Sequence, residues 1–314
     1  MNTQIAALVD NIEKAIIGKK GPILVIVASM LCGGHVLVED VPGVGKTRLV
    51  MALANSVGGK FNRIQMTPDV MPSDIVGFTM INPETKKMEY RQGIAQCNFL
   101  LADEINRASP KVQSSLLEVM DERQISMDSH TYALPRPFMV LATQNPVETY
   151  GTYHLPEAQM DRFLIRISLG YLLPQEELRL MEPPFSEEKT ILAPVLAGED
   201  VLRLQAEARQ VHTHDAVKQY IMAIVSATRD NENIKLGISP RGTIGLSAMA
   251  KAIALIMGRQ FVIPDDVLIA APYVLAHRLI LSPNRSDAFK TQDAAIREIM
   301  KDIPLPESSL LSEA

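Results

Sequence analysis

The segment Glu39-Asp40-Val41-Pro42-Gly43-Val44-Gly45-Lys46-Thr47 follows an apolar run and opens a helical one. That context suits a phosphate-binding loop. Backbone N–H groups wrap the phosphates, the helix N-terminus faces them, and a lysine reaches the β- and γ-oxygens. Pro42, Gly43, Val44, Gly45, Lys46, Thr47 and Arg48 are therefore the expected nucleotide-binding residues, with the Thr47 hydroxyl on Mg²⁺. Asp40 stands where the GxxxxGK[ST] pattern has its first glycine. Glu39 and Asp40 are expected at the strand exit, turned away from phosphate.

A second apolar run, Asn98-Phe99-Leu100-Leu101-Ala102, ends in Asp103-Glu104. Two carboxylates at a strand end lie on the edge where α/β sheets bind ligands. Asp103 would hold Mg²⁺ through its water shell, and Glu104 would polarise the attacking water. A lone Asp-Glu pair could equally cap the next helix; the loop upstream, in matching order and distance, favours the chemical reading. A third run ends in Ala142-Thr143-Gln144-Asn145-Pro146. Asn145 could orient the lytic water or read the γ-phosphate, or it could be a turn-forming Asn before Pro.

These strand ends need a sheet to bring them together. Apolar runs recur at residues 35–38, 61–66, 99–101, 138–143 and 163–169, separated by helical stretches near 46–56, 110–120 and 156–161. Apolar strands without alternation, separated by helices, indicate a parallel sheet covered on both faces. Pro174, Pro183, Pro184 and Pro194 then punctuate a joint, after which helical periodicity dominates, as over 216–229 and 241–257. The expected organisation is an α/β core over residues 1–170 and an all-α domain over 171–314. Asp215 and Asp265 are expected as helix caps.

Composition narrows the function. The chain has 314 residues, a formal charge of −5, no Trp and 5% aromatic residues. It offers neither bulk attraction for a phosphate backbone nor a base-stacking platform, so nucleic acid is disfavoured as a partner. Cys32 and Cys97 lie in apolar stretches without metal or redox spacing, which agrees with a reducing cytoplasm. His212-Thr213-His214 lacks a third ligand nearby and is read as a loop before a helix rather than a metal site. The apolar run 23–32 is too short to cross a bilayer, and the N-terminus lacks a signal-peptide shape; no membrane anchor is expected.

The three strand ends together resemble the AAA+ ATPases, and the flanking residues resemble the MoxR family. Leu101-Ala102-Asp103-Glu104-Ile105-Asn106-Arg107-Ala108 is similar to that family's Walker B segment and Ala142 to Pro146 to its sensor 1. Leu155-Pro156-Glu157-Ala158-Gln159-Met160-Asp161-Arg162-Phe163 is similar to its downstream signature. The resemblance implies a five-stranded parallel P-loop core with a helix-2 insert hairpin over about 79–91, turning at Asn82-Pro83-Glu84-Thr85, followed by an α-helical lid. A second hairpin is expected over 124–134. Arg162 corresponds to the arginine finger and Arg241, in Ile238-Ser239-Pro240-Arg241, to sensor 2. ATP is then expected between Lys46, Thr47, Asp103, Glu104, Asn145 and Arg241, with Arg162 supplied by the next subunit of a homo-oligomer, a hexameric ring. The implied activity is Mg-ATP hydrolysis to ADP and phosphate, driving chaperone-like remodelling of a client, commonly a von Willebrand factor A domain protein. A nucleic-acid-dependent motor, a metal-insertion motor resembling magnesium chelatase, and a scaffold that does not hydrolyse are the alternatives; Glu104 argues against the last.

Overall fold

The computed structural model describes residues 1–41, 43–128, 130–145, 152–182 and 192–306. Two helices come first, α1 (Thr3–Glu13), whose Asn2 side chain caps the Gln4 N–H at 3.1 Å, and α2 (Lys20–Leu31). There follow β1 (Val36–Glu39), α3 (Lys46–Ser56) and β2 (Phe61–Gln65). A short α4 (Pro72–Val76) leads into the hairpin β3 (Gly77–Ile81) and β4 (Met88–Gln92). After β5 (Phe99–Asp103) and α5 (Pro110–Glu122) comes a second hairpin, β6 (Gln124–Met127) and β7 (His130–Ala133). The α/β part closes with β8 (Met139–Gln144), α6 (Glu157–Met160) and β9 (Ile165–Ile167).

Five of these strands form a parallel sheet in the order β2-β5-β8-β1-β9. Successive residues of β5 enter two different cores: Phe99 and Leu101 pack on one side with α1, α2 and α3, and Leu100 and Ala102 on the other with α5. A sheet buried on both faces explains its uninterrupted apolar strands. All five strands run the same way, so Glu39, Gln65, Asp103 and Gln144 end on one edge. The segments entering β9 and β8 lie on the opposite edge.

The helical part follows α7 (Pro174–Leu180) and comprises α8 (Gly198–Gln210), α9 (Asp215–Arg229), α10 (Pro240–Ile256), α11 (Pro264–Leu275) and α12 (Gln292–Asp302). A small antiparallel pair, β10 (Ile234–Leu236) with β11 (Ile280–Leu281), joins them. Two helix starts differ from expectation. His214, not Asp215, caps α9, accepting the Ala216 N–H at 3.1 Å. Asp266, not Asp265, closes the start of α11, accepting the Ile263 N–H at 2.9 Å while Arg259 holds its carboxylate at 2.6 Å. Both depend on side chains meeting around a turn that residue type alone leaves ambiguous. Cys32 and Cys97 are free, and burial pushes both thiols up to about 12, as for small hydrophobes of a core. Among the described residues, no helix is long and apolar enough to cross a membrane.

Candidate active site

The loop between β1 and α3 carries Gly43 and Gly45 at φ +87° and +89°, conformations that any residue with a Cβ adopts at a cost. Pro42 lies outside the described residues. Lys46 stands at the first turn of α3 and donates to the Asp40 carbonyl at 3.1 Å. The Asp40 carboxylate accepts the N–H groups of Leu169 (2.5 Å) and Gly170 (2.9 Å) and the Ser168 hydroxyl (3.2 Å). Asp40 thus ties the base of the loop to the point where the chain leaves β9 for the helical part. Lys19 grips the same place from the other side, donating to the carbonyls of Gly170 and Tyr171 at 2.9 Å each.

A cleft of about 370 Å³ opens at this edge of the sheet, and it brings together Gly43, Gly45, Lys46, Thr47, Arg48, Asp103, Glu104 and Asn145. Asp103 accepts from Arg63 Nε at 2.7 Å and from the Thr143 hydroxyl at 3.2 Å. The Thr143 hydroxyl also receives the Glu104 N–H at 2.9 Å, so β8 holds the Asp103 carboxylate and the Glu104 backbone. Glu104 sits at φ +57°, a left-handed conformation costing a non-glycine residue of order 1 kcal/mol and one that concentrates at functional sites. Its carboxylate accepts from Gln65 Nε2 at 2.7 Å and Arg107 at 2.9 Å. Arg63, Gln65 and Thr143 were not singled out from the sequence. Only the pairing of β5 with β2 on one side, Gln65 opposite Asp103, and with β8 on the other shows that they line the cleft.

Beside the loop lies a second cavity of about 400 Å³, with Ile16, Ile17, Tyr171 and Leu172 on one side and Gly43, Val44, Gly45 and Arg48 on the other. Arg48 borders both cavities. An apolar slot next to a phosphate-type cradle suits a flat base, and Ile16, Ile17 and Leu172 carry no chemical signal that a sequence reading would find.

Arg162 and Arg241 are elsewhere. Arg162 Nε meets Asp121 Oδ2 at 3.2 Å, and an Arg241 guanidinium nitrogen stands 3.8 Å from the same oxygen. Asp121 lies at the end of α5 and Arg162 just before β9, at the edge of the sheet opposite the phosphate loop. The four residues of β1 alone span about 13 Å between those edges. Arg241 does not line the cleft of its own chain here; it shares a carboxylate with Arg162 instead. The reason is a clamp. Asp161 accepts from the Ser239 hydroxyl (3.0 Å), which caps α10, and from the buried Arg278 (2.6 Å), drawing the start of α10 onto the Arg162 segment. Burial pulls the Arg278 guanidinium down from its ordinary range, opposed by Asp161 beside it.

Comparison with known proteins agrees with the fold. The ATPase family associated with various cellular activities (AAA) matches residues 35–165, and the AAA lid domain matches residues 226–299. The chain is 47% identical over 302 residues to the uncharacterised protein YeaC of Bacillus subtilis, covering 95% of this chain and 93% of that one. It is 41% identical over 310 residues to the chaperone MoxR1 of Mycobacterium tuberculosis, covering 94% and 81%. A crystal structure of a candidate ATPase from Cytophaga hutchinsonii superposes with a TM-score of 0.88 at 36% identity, covering 97% of this chain and 95% of that one.

Proposed function

The chain belongs to the MoxR family of AAA+ ATPases, and from that membership we propose that it hydrolyses Mg-ATP at sites shared between neighbouring copies in a cytoplasmic ring and uses the cycle to remodel a partner protein. The observation that carries the shared site is the pairing of Arg162 and Arg241 on Asp121, at the edge of the sheet away from the phosphate loop. A chain so built presents a cradle on one side and two cations on the other.

In this reading Gly43, Gly45, Lys46, Thr47 and Arg48 hold the phosphates, and the slot at Ile16, Ile17 and Tyr171 takes the base. The Thr47 hydroxyl and the Asp103 carboxylate are hard oxygen donors that suit Mg²⁺, which when bound neutralises charge on the β- and γ-oxygens. Glu104 accepts the proton of the attacking water and Asn145 orients it. Glu104 must first leave Gln65 and Arg107, which hold it here. Arg162 and Arg241 of the next copy stabilise the charge that develops as the terminal phosphoryl group passes to water, giving ADP and phosphate. We take the core as residues 1–170 and the lid as 171–314, with Gly170 at φ +64° between them. The free end of the β3–β4 hairpin, with Ile81 and Met88 exposed, is the surface assigned to the client, a von Willebrand factor A domain protein being the partner that the family resemblance suggests.

Complementation tests the shared site. Lys46→Ala and Arg162→Ala chains should each lose hydrolysis, the latter by about 10³-fold, and a mixture of the two should regain part of it. An Arg162→Ala protein with undiminished activity would sink the reading.

A further inference from the structure

Asp103 is held from two sides. Its Oδ1 accepts the neutral Thr143 hydroxyl at 3.2 Å, and its Oδ2 accepts Arg63 Nε at 2.7 Å. The Asp103 side chain is 9% exposed, and a charge so buried is costly without a partner. Lys46 lines the same cleft but turns to the Asp40 carbonyl at 3.1 Å. Arg63 therefore supplies the counter-charge at the carboxylate that Mg²⁺ would also use.

Strand register explains how the arginine arrives there. Arg63 stands opposite Leu101 and Gln65 opposite Asp103, so Arg63 is the diagonal neighbour of Asp103 on one face of the sheet, within reach of a long side chain. That face carries Phe61, Phe99 and Leu101 against the core of α3, the helix that opens with Lys46 and Thr47. β2 is an edge strand, and the Arg63 side chain is 49% exposed. A second arginine–aspartate pair in the chain is built differently. Arg259 grips Asp266 with both outer nitrogens, at 2.8 and 2.6 Å, and the aspartate is 2% exposed. Such a two-pronged pair is of the strong kind and belongs to the fold. Arg63 instead meets Asp103 through Nε, while its Nη2 stands 3.5 Å from Gln65 Oε1. A half-exposed pair of this kind is weak enough to be exchanged.

We propose that Arg63 is an exchangeable counter-ion of Asp103, which neutralises the carboxylate until Mg²⁺ takes its place and reclaims it as the metal leaves. The proposal rests on the reading that places phosphates at Gly43 to Arg48 and Mg²⁺ at Thr47 and Asp103. Two effects of opposite sign follow from one side chain. Paired with Arg63, Asp103 does not repel a nucleotide that enters without metal. The same arginine competes with Mg²⁺ for the carboxylate, because two cations on one carboxylate repel each other. Arg63 thus strengthens the binding of metal-free nucleotide and weakens that of the metal-bound form. An arginine that served as a phosphate ligand, or only held β2 to β5, would strengthen both.

Calorimetric titration of the full chain with the non-hydrolysable β,γ-imido analogue of ATP, in EDTA and in excess Mg²⁺, tests this without reading activity. For Arg63→Met the dissociation constant should rise about fivefold in EDTA and fall about fivefold in Mg²⁺. Arg63→Lys, which keeps the charge, should lie between that variant and the unsubstituted chain in both media. Arg63→Gln should shift both constants as Arg63→Met does, and it carries the test if the latter fails to fold. Shifts of the same sign in the two media, or none, overturn the proposal. If the unsubstituted chain then still binds the analogue in a Mg²⁺-dependent way that Lys46→Ala abolishes, the nucleotide reading stands. An unsubstituted chain that binds the analogue in neither medium, or equally in both, overturns the proposal and that reading together.

Discussion

At the residue scale, His35 shows how a titratable group serves the sheet without entering the chemistry. It lies at the start of β1, accepts the Val140 N–H at Nδ1 (2.9 Å) and meets the Met120 carbonyl through Nε2 (3.1 Å), so the neutral ring with its proton on Nε2 satisfies both. Burial holds its pKa down at about 4. The unfolded chain takes up a proton near the ordinary value of about 6.5, the folded chain only well below it. Stability is thus full above about 6.5, falls as pH drops toward 4, and levels below that, a loss of about 3 kcal/mol from this group. His277, buried and likewise lowered well below its ordinary value, adds in the same direction. Denaturant midpoints between pH 7 and 4 should fall accordingly, and His35→Gln, which can still donate to Met120, should flatten the curve. An unchanged slope would mean that His35 titrates normally. The same residue marks what a sequence shows and hides: the apolar run after it announces a strand, but partners 85 and 105 residues away are visible only in the fold.

At the element scale, strand ends and helix starts carried most of the legible signal. Helix α3 spans 46–56 as its pattern predicts, both hairpins form, and Lys46, Thr47, Asp103, Glu104 and Asn145 converge because β1, β5 and β8 are neighbours in a parallel sheet. The place of Arg241 beside Arg162 is not legible in the sequence, because it depends on the clamp of Asp161 with Ser239 and Arg278, contacts across 78 and 117 residues that no local pattern encodes. The slot beside the phosphate loop is not legible in the sequence because apolar residues in a slot look like any other core residues. The clamp makes a graded prediction. Ser239→Ala removes a helix cap and should cost about 1 kcal/mol. Asp161→Asn leaves the buried Arg278 without its counter-charge and should cost about 3 kcal/mol or more. Equal shifts of the denaturation midpoint for the two variants would show that the ion pair does not hold α10 in place.

At the scale of the whole molecule, charge and topology set what the assembly can do. With a net charge of −5, the chain offers no bulk attraction for a phosphate backbone, which disfavours a nucleic-acid motor. ATP hydrolysis measured at low salt should be the same with and without duplex DNA, and stimulation that fades steeply as salt rises would reinstate the motor reading. The placement of the phosphate loop and the Asp121-bound arginines at opposite edges of one sheet has a further consequence: polarity. Chains joined through two unlike edges have a leading end and a trailing end, and growth stops only when the ends meet. In the ring proposed above, a chain damaged on its arginine edge would still turn over its own nucleotide if its neighbour is sound, while silencing the neighbour behind it. Defects in such an assembly are inherited in one direction around the circle.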